Sequence, residues 1–314
     1  MAPGNTDFAR EFFETVGKKV GQSVPLRKHA NFRVGGPADY FFEASSLGEF
    51  LLALRIAQQQ GIPFYVVGGG YNLLFDDDGF RGLIIKNCAR GIEKKGTSAI
   101  EVLSGTPIWD VLGYCVENGM EGFEFLAGIP GTVGGAVCGN AGAFDRSIGS
   151  FLTEALVFDK KGEKLNVDRD YFSFNYRKSR LRTEKNLLLQ ATFSLRPGIR
   201  QQIEKTVAEN LAKREKKHPP RNVACAGSYF KNPKLADGKR IPAAHLLDQV
   251  GAKNRRFGGA AVFPGHANFI INDKNATSKD ILSLASELKN LVKKKFGIEL
   301  EEEVIYLPAE LPGP

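Results

Sequence analysis

Three groups of residues have the types and spacing to do chemistry. The first is glycine. Gly68-Gly69-Gly70 follows an apolar run, and residues 122–144, GFEFLAGIPGTVGGAVCGNAGAF, carry seven glycines with Glu124 as the only charged side chain. Without a Cβ the backbone can turn with positive φ and a large group can approach it closely. Exposed N–H groups in such loops suit phosphate oxygens. The same composition also serves a buried turn packed by small residues, and composition leaves both readings open. The second group, FSFNYRKSRLR (172–182), sets Tyr176, Arg177 and Arg180 among small polar residues, which suits an anion and equally a solvated hairpin. The third, CAGSYFKNP (225–233), brings the hydroxyl of Ser228, the amine of Lys231 and the amide of Asn232 onto one turn. A serine there either serves chemistry or bonds its own backbone.

Elements of both kinds must position these groups. Phe32–Val34 and Tyr40–Phe42 read as short strands around Gly35-Gly36-Pro37. Ser46 and Glu49 form a capping box for a helix whose apolar stripe is Leu47, Phe50, Leu51, Leu54 and Ala57, with Gly61 at C′. Residues 62–67 form a buried strand that runs into the Gly68–Gly70 loop; a turn at 76–79 and a strand at 82–86 follow. A dinucleotide fingerprint needs a third glycine and a helix after the loop, and neither is present, which favours a phosphate-cradling loop on some other α+β fold over the dinucleotide reading.

Further along, residues 99–103 form a strand, Thr106 caps a helix with Pro107 at its first position, and Gly119 ends it. Strands are expected at 154–158 and 187–195, and a helix over 199–217 that Pro219 and Pro220 close. Thr277 and Asp280 cap a helix with Ile281, Leu284, Ala285, Leu288, Leu291 and Val292 on one face, and an acidic strand, 300–307, follows. The N-terminal stretch reads as a short polar lead and not as a signal peptide.

Composition narrows the class. With 314 residues, 42% hydrophobic and 25% charged, the chain is expected to be a soluble protein of two or three domains. A net charge of +8 favours anionic partners, but no nucleic-acid motif accompanies it. Pro130, Asn140 and the scattered glycines exclude a membrane span over 127–144. Cys88, Cys115, Cys138 and Cys225 form no CxxC pair and the histidines no HExxH, so neither a metal site nor a disulfide framework is expected, and a reducing cytoplasm is the default.

Seven motifs stand in a fixed order: NFRVGGPA (31–38), VVGGGYNLL (66–74), the glycine-rich 122–144, YRKSR (176–180), AGSYFKNP (226–233), GHANFIIN (265–272) and LEEEV (300–304). Together they resemble the UDP-N-acetylenolpyruvoylglucosamine reductase family, over about residues 29–307. The resemblance implies an α+β fold in which a bipartite FAD-binding domain of the vanillyl-alcohol oxidase (PCMH) type precedes a smaller α+β substrate-binding domain. Its implied parts are 1–88, taking in the tail 304–314, and 89–215 for FAD, then 216–303 for substrate.

The implied cofactor is noncovalent FAD, with NADPH as co-substrate. Gly68, Gly69, Gly70, Asn72 and Leu73 would cradle the pyrophosphate, with Gly128, Ile129, Gly131, Thr132, Gly135 and Ala136 around the flavin and ribityl chain. The implied activity is UDP-N-acetylmuramate dehydrogenase: NADPH gives hydride to flavin N5, and the enolpyruvyl sugar nucleotide then takes it at C3. Arg177 matches the arginine on the substrate carboxylate, Glu303 the glutamate that assists there, and Ser228 the serine that protonates C2. Asn232, Lys216 and Arg214 would contact substrate phosphates or the enolpyruvyl group.

Phe144 stands where many members have tyrosine, and the short interval from Arg177 to Ser228 resembles the subtype lacking an extra substrate-covering loop. A monomer in the cytoplasm, engaging UDP-sugar and NADPH and neither nucleic acid nor membrane, is implied. The competing enzyme reading is an FAD-dependent oxidase of the same superfamily, many of which tether flavin through His or Cys.

Overall fold

The computed structural model describes residues 6–311. Contacts divide the chain into two units. One comprises Met1–Gly21, Phe41–Gly69 and Leu83–Arg214; the other comprises Gln22–Tyr40, Gly70–Gly82 and Glu215–Pro314. Residues 22–40 and 70–82 therefore group with the C-terminal segment.

The N-terminal stretch is not a polar lead but helix α1 (Thr6–Val16). Its Phe8 and Phe12 are buried, and Phe12 meets Phe42 edge-on at 4.9 Å. Strands β1 (Gly21–Pro25) and β2 (Pro37–Ala44) precede α2 (Leu47–Gln59), β3 (Phe64–Val67), β4 (Leu73–Phe75) and β5 (Phe80–Asn87). They form a four-stranded sheet in the order β1-β2-β5-β3, with β3 and β5 parallel. Ser46 caps α2 as expected, its Oγ accepting from Glu49 N at 3.2 Å. The Glu49 carboxylate accepts from Ser45 N and pairs with Lys18 at 2.7 Å, and the Lys18 bond is the main reason that its pKa is lowered. Phe32–Val34 forms no strand: Arg33 has φ 56°, a left-handed turn that breaks the extended run while Phe32 and Val34 stay buried.

The first unit also contains β6 (Ile92–Lys95), β7 (Ala99–Leu103), α3 (Ile108–Glu117), α4 (Val133–Cys138), β8 (Leu152–Phe158), β9 (Lys164–Asp168), α5 (Arg180–Glu184), β10 (Leu187–Ser194) and, to Arg214, α6 (Arg200–Glu215). Five of these strands make an antiparallel sheet, β9-β8-β10-β7-β6, whose apolar face packs with α3 and α4 around Ile100, Val102, Phe123 and Phe193. Thr106 does not cap α3. Its buried hydroxyl accepts from Gly91 N and donates to Gly91 O, and Pro107 occupies the cap position without a side-chain bond.

The second unit carries α7 (Ala243–Gln249), β11 (Ala260–Val262), β12 (Ile270–Asn272), α8 (Ser278–Phe296) and β13 (Ile305–Leu307). β11 and β12 pair antiparallel, and Arg256–Phe257 adds a short edge. Ile281, Leu284 and Leu288 of α8 close the core on Leu246, Phe269 and Ile270. The Thr277/Asp280 capping box starts α8, reinforced by Asp77, whose carboxylate accepts from Ser278 N and Oγ. Only Ile305–Leu307 of the expected terminal strand is regular, and it runs parallel to β4. Among the described residues no helix is long and apolar enough to cross a membrane.

Candidate functional site

In the first unit the two glycine stretches meet at Thr132. A Cβ on Gly68 would lie 2.3 Å from Thr132 Oγ1, so only glycine permits this approach. Thr132 is the N-cap of α4 and accepts from Gly135 N at 3.5 Å. The 128–136 segment is stitched to its neighbour by Ile108 N to Gly131 O, Val133 N to Thr106 O and Gly134 N to Ser104 O. In contrast, a Cβ on Gly135 would meet only Thr132 Oγ1 at 3.8 Å, and one on Gly131 nothing within 4 Å. The loop is thus pressed against protein at Gly68 and open along Gly131 and Gly135.

Main-chain N–H groups of Gly69, Gly70, Tyr71 and Asn72, and of Gly128, Gly131 and Thr132, have no acceptor among the described residues. Main-chain donors of this kind in glycine-rich loops suit the phosphate and flavin oxygens that the resemblance implies. Ile129 is half-buried against the sheet core, and Ala136 and Leu73 are buried. Their side chains are packing groups, which leaves the main chain as what they can offer a ligand. The side-chain amide of Asn72 is already engaged, donating to Glu303 O at 3.1 Å.

Arg177 sits at the tip of a tight turn closed by Asn175 N to Lys178 O (3.0 Å) and Lys178 N to Asn175 O (3.1 Å). Its φ is 53°, a conformation that glycine or asparagine fills more cheaply, by roughly 1–2 kcal/mol. A strained arginine of this kind points to work done by its head group. The guanidinium is half-buried and donates from Nη2 to Gly142 O at 2.8 Å, on the glycine-rich stretch. Arg214 belongs to the same cluster. Burial, and secondarily the Arg177 cation, lowers its pKa, and its Nε is buried with no hydrogen-bond partner. Arg214 also lies across Gly128, where an added Cβ would be 3.1 Å from its Cδ and Nε. Two guanidinium groups held this close favour an anion. Phe144 is exposed, with Lys213 Nζ 5.9 Å from its ring centre.

Sequence reasoning overlooked Asn140 here. It is buried, with Nδ2 donating to Asn175 O at 2.9 Å and Oδ1 accepting from Gly149 N at 3.1 Å. Ser179 Oγ ties the far side of the turn to Cys138 O at 2.8 Å. The available signal was the one amide side chain inside the uncharged glycine run 127–144.

The second unit holds Ser228 and Glu303. Residues 224–230 run antiparallel to 268–272: Asn272 N donates to Ala224 O, Cys225 bridges Ile271, and Tyr229 N donates to Asn268 O. Tyr229 lies four residues past Cys225 whereas Asn268 lies three before Ile271, so one extra residue is accommodated as a bulge. Gly227, with φ 77°, supplies the left-handed turn, and Ser228 follows it. The Ser228 hydroxyl is half-buried and bonds no group among the described residues, so it is not spent on its own turn. Burial, then Glu302, pushes the neighbouring Tyr229 phenol well up and keeps it protonated.

Across from this segment, Glu303 N donates to Tyr229 O and Lys231 N to Glu301 O, both at 2.8 Å. Asn232 Oδ1 accepts from Ala243 N at 3.0 Å, holding the start of α7. Lys216 is exposed just past the end of α6, without a hydrogen bond or ion pair among the described residues.

Comparison with known proteins finds two family models on the chain. The C-terminal domain model of UDP-N-acetylenolpyruvoylglucosamine reductase matches residues 218–307, and an FAD binding domain model matches residues 38–168. A UDP-N-acetylenolpyruvoylglucosamine reductase of Clostridium botulinum (strain Alaska E43 / Type E3) is 37% identical over 286 residues, 91% of this chain and 92% of its own. That of Solibacter usitatus (strain Ellin6076) is 37% identical over 305 residues, covering 92% and 96%. The crystal structure of UDP-N-acetylenolpyruvylglucosamine reductase from Thermus caldophilus matches with a TM-score of 0.77 at 29% identity, covering 92% of this chain and 99% of that one.

Proposed function

Since the chain belongs to the UDP-N-acetylenolpyruvoylglucosamine reductase family, FAD-dependent oxidoreductases of peptidoglycan synthesis, we propose that it reduces UDP-N-acetylglucosamine enolpyruvate to UDP-N-acetylmuramate with NADPH. FAD, when bound, would supply the hydride-transfer chemistry that links NADPH to C3 of the enolpyruvyl group. The Gly68–Asn72 and Gly128–Ala136 main chains hold it noncovalently. Arg177 grips the substrate carboxylate, where its planar fork matches both oxygens and its charge offsets the anion that builds on C2 and the carboxylate. Arg214 reinforces that positive field. Ser228 Oγ delivers the proton to C2, and Glu303 assists at the same centre.

A serine hydroxyl is a poor acid in water, so this role requires a preorganised site that excludes water. The observation that carries the reading is Ser228 itself: a half-buried hydroxyl with no hydrogen-bond partner among the described residues, on a segment whose next residue, Tyr229, accepts from the Glu303 main chain. The reading includes a monomer in the cytoplasm. Its test is NADPH oxidation by the purified yellow protein. Oxidation should depend on the enolpyruvyl sugar nucleotide and yield a product heavier by one hydride and one proton. NADPH oxidation indifferent to that substrate would contradict the reading, as would flavin that stays with acid-precipitated protein.

A further inference from the structure

The GHANFIIN motif has no part in the chemistry described so far, yet its Asn268 touches the segment that carries Ser228 at three points. Tyr229 N, which belongs to the peptide unit following Ser228, donates to Asn268 O at 2.8 Å. Phe230 N donates to Asn268 Oδ1 at 2.9 Å, and Asn268 Nδ2 donates to Phe230 O at 2.8 Å. Asn268 is 3% exposed, and its own N–H donates to His266 Nδ1 at 3.3 Å. The side-chain amide thus acts as an extra strand residue beyond the bulge, where the main-chain ladder has slipped. Phe230 is fully buried, so these groups have no water to turn to.

We propose that Asn268 is a positioning residue for the proton donor: its amide locks the Tyr229–Phe230 backbone and thereby fixes where Ser228 Oγ points. This rests on the reading of Ser228 as the donor. A bulge leaves a residue free to swing, and small misplacements of a reacting group can cost about 10²-fold in rate. A purely structural asparagine would instead affect flavin retention and both half-reactions alike.

The test is a double-mutant cycle on the FAD-loaded enzyme. Asn268→Asp is isosteric but sets a carboxylate oxygen against Phe230 O in place of the Nδ2 donor. It should slow the substrate-dependent half-reaction about 10²-fold, enlarge the solvent deuterium isotope effect on that step, and leave flavin content and reduction by NADPH near wild type. In a Ser228→Ala background it should add almost nothing, because the group it positions is gone. Equal losses in both backgrounds, or an Asn268→Asp enzyme at the wild-type rate, would overturn the proposal. Ser228→Ala at the wild-type rate would show instead that the donor assignment beneath it is at fault. Where Asn268→Asp fails to fold, Asn268→Ser, which shortens the reach without adding charge, enters the same cycle with the same expected non-additivity.

Discussion

Glu303 donates its main-chain N–H to the carbonyl of Tyr229 at 2.8 Å, making the glutamate a hydrogen-bonded neighbour of the residue that follows Ser228. This pairing sets the register of the three consecutive acids. Glu301 pairs with Lys231 and Glu302 with Lys289, while Glu303 lies opposite the bulge, with its carbonyl held by Asn72.

Gly135→Val should yield a folded protein that retains little FAD. An added Cβ meets only Thr132 Oγ1, at 3.8 Å, so the expected penalty falls on the ligand, with a small cost from placing valine in a helix. Thermal unfolding of the apoprotein should be close to wild type while the flavin-to-protein absorbance ratio drops. Normal flavin content would remove Gly135 from the cofactor site.

Arg177→Lys keeps the charge and loses the planar fork. Substrate turnover should fall strongly, and flavin reduction by NADPH should change much less. Equal slowing of both half-reactions would show that Arg177 is not dedicated to the substrate carboxylate.

The Tyr306–Asp76 hydrogen bond makes an alkaline prediction. Burial first, then the bond to the Asp76 carboxylate, pushes the Tyr306 pKa from 10 up to about 12. A raised pKa means that the folded state favours the neutral phenol, so this stabilisation is complete below pH 10 and is lost as pH rises through about 12. Urea midpoints of wild type and Tyr306→Phe should therefore differ at neutral pH and converge above that range. A gap that stays constant through it would show that the phenol proton is not linked to folding.

Burial pushes the Cys115 thiol up to about 12 and also raises Cys88, Cys138 and Cys225. Thiolate is therefore scarce near neutral pH, and alkylation of the native protein should be slow and accelerate on unfolding. A rapidly modified thiol in the folded enzyme would contradict these environments.

Much of the architecture was readable because local signals agreed with packing. The Ser46 cap, the Thr277–Asp280 box and the strand after the 76–79 turn all appear where propensity and pattern put them. Strands β6 and β9 escaped notice because they are the two edges of their sheet: IEKK has a single apolar residue, and KLNVD alternates but offers only Leu165 and Val167, of which Leu165 is exposed. Helix α1 was hidden in a charged segment whose Phe8 and Phe12 alone face the core. Thr106 misled because its hydroxyl found a partner at Gly91, outside the helix that it precedes.

For the candidate site, the sequence offers residue types but not their partners. Asn72 reads as a ligand to phosphate, yet its amide is spent on Glu303 O, a partner far along the chain. Asn140 and Asn268 act through backbone groups distant in sequence, which no local spacing reports.

The most direct test is anaerobic stopped-flow of the two half-reactions in Ser228→Ala. The variant should be reduced by NADPH at near the wild-type rate, because the substitution leaves the glycine loops and Arg177 untouched. Reoxidation by the enolpyruvyl substrate should fall by about 10²–10⁴-fold, the usual contribution of a positioned general acid, and Ser228→Cys should recover part of it. Reoxidation of Ser228→Ala as fast as wild type would contradict the account and make the hydroxyl a bystander on the bulge.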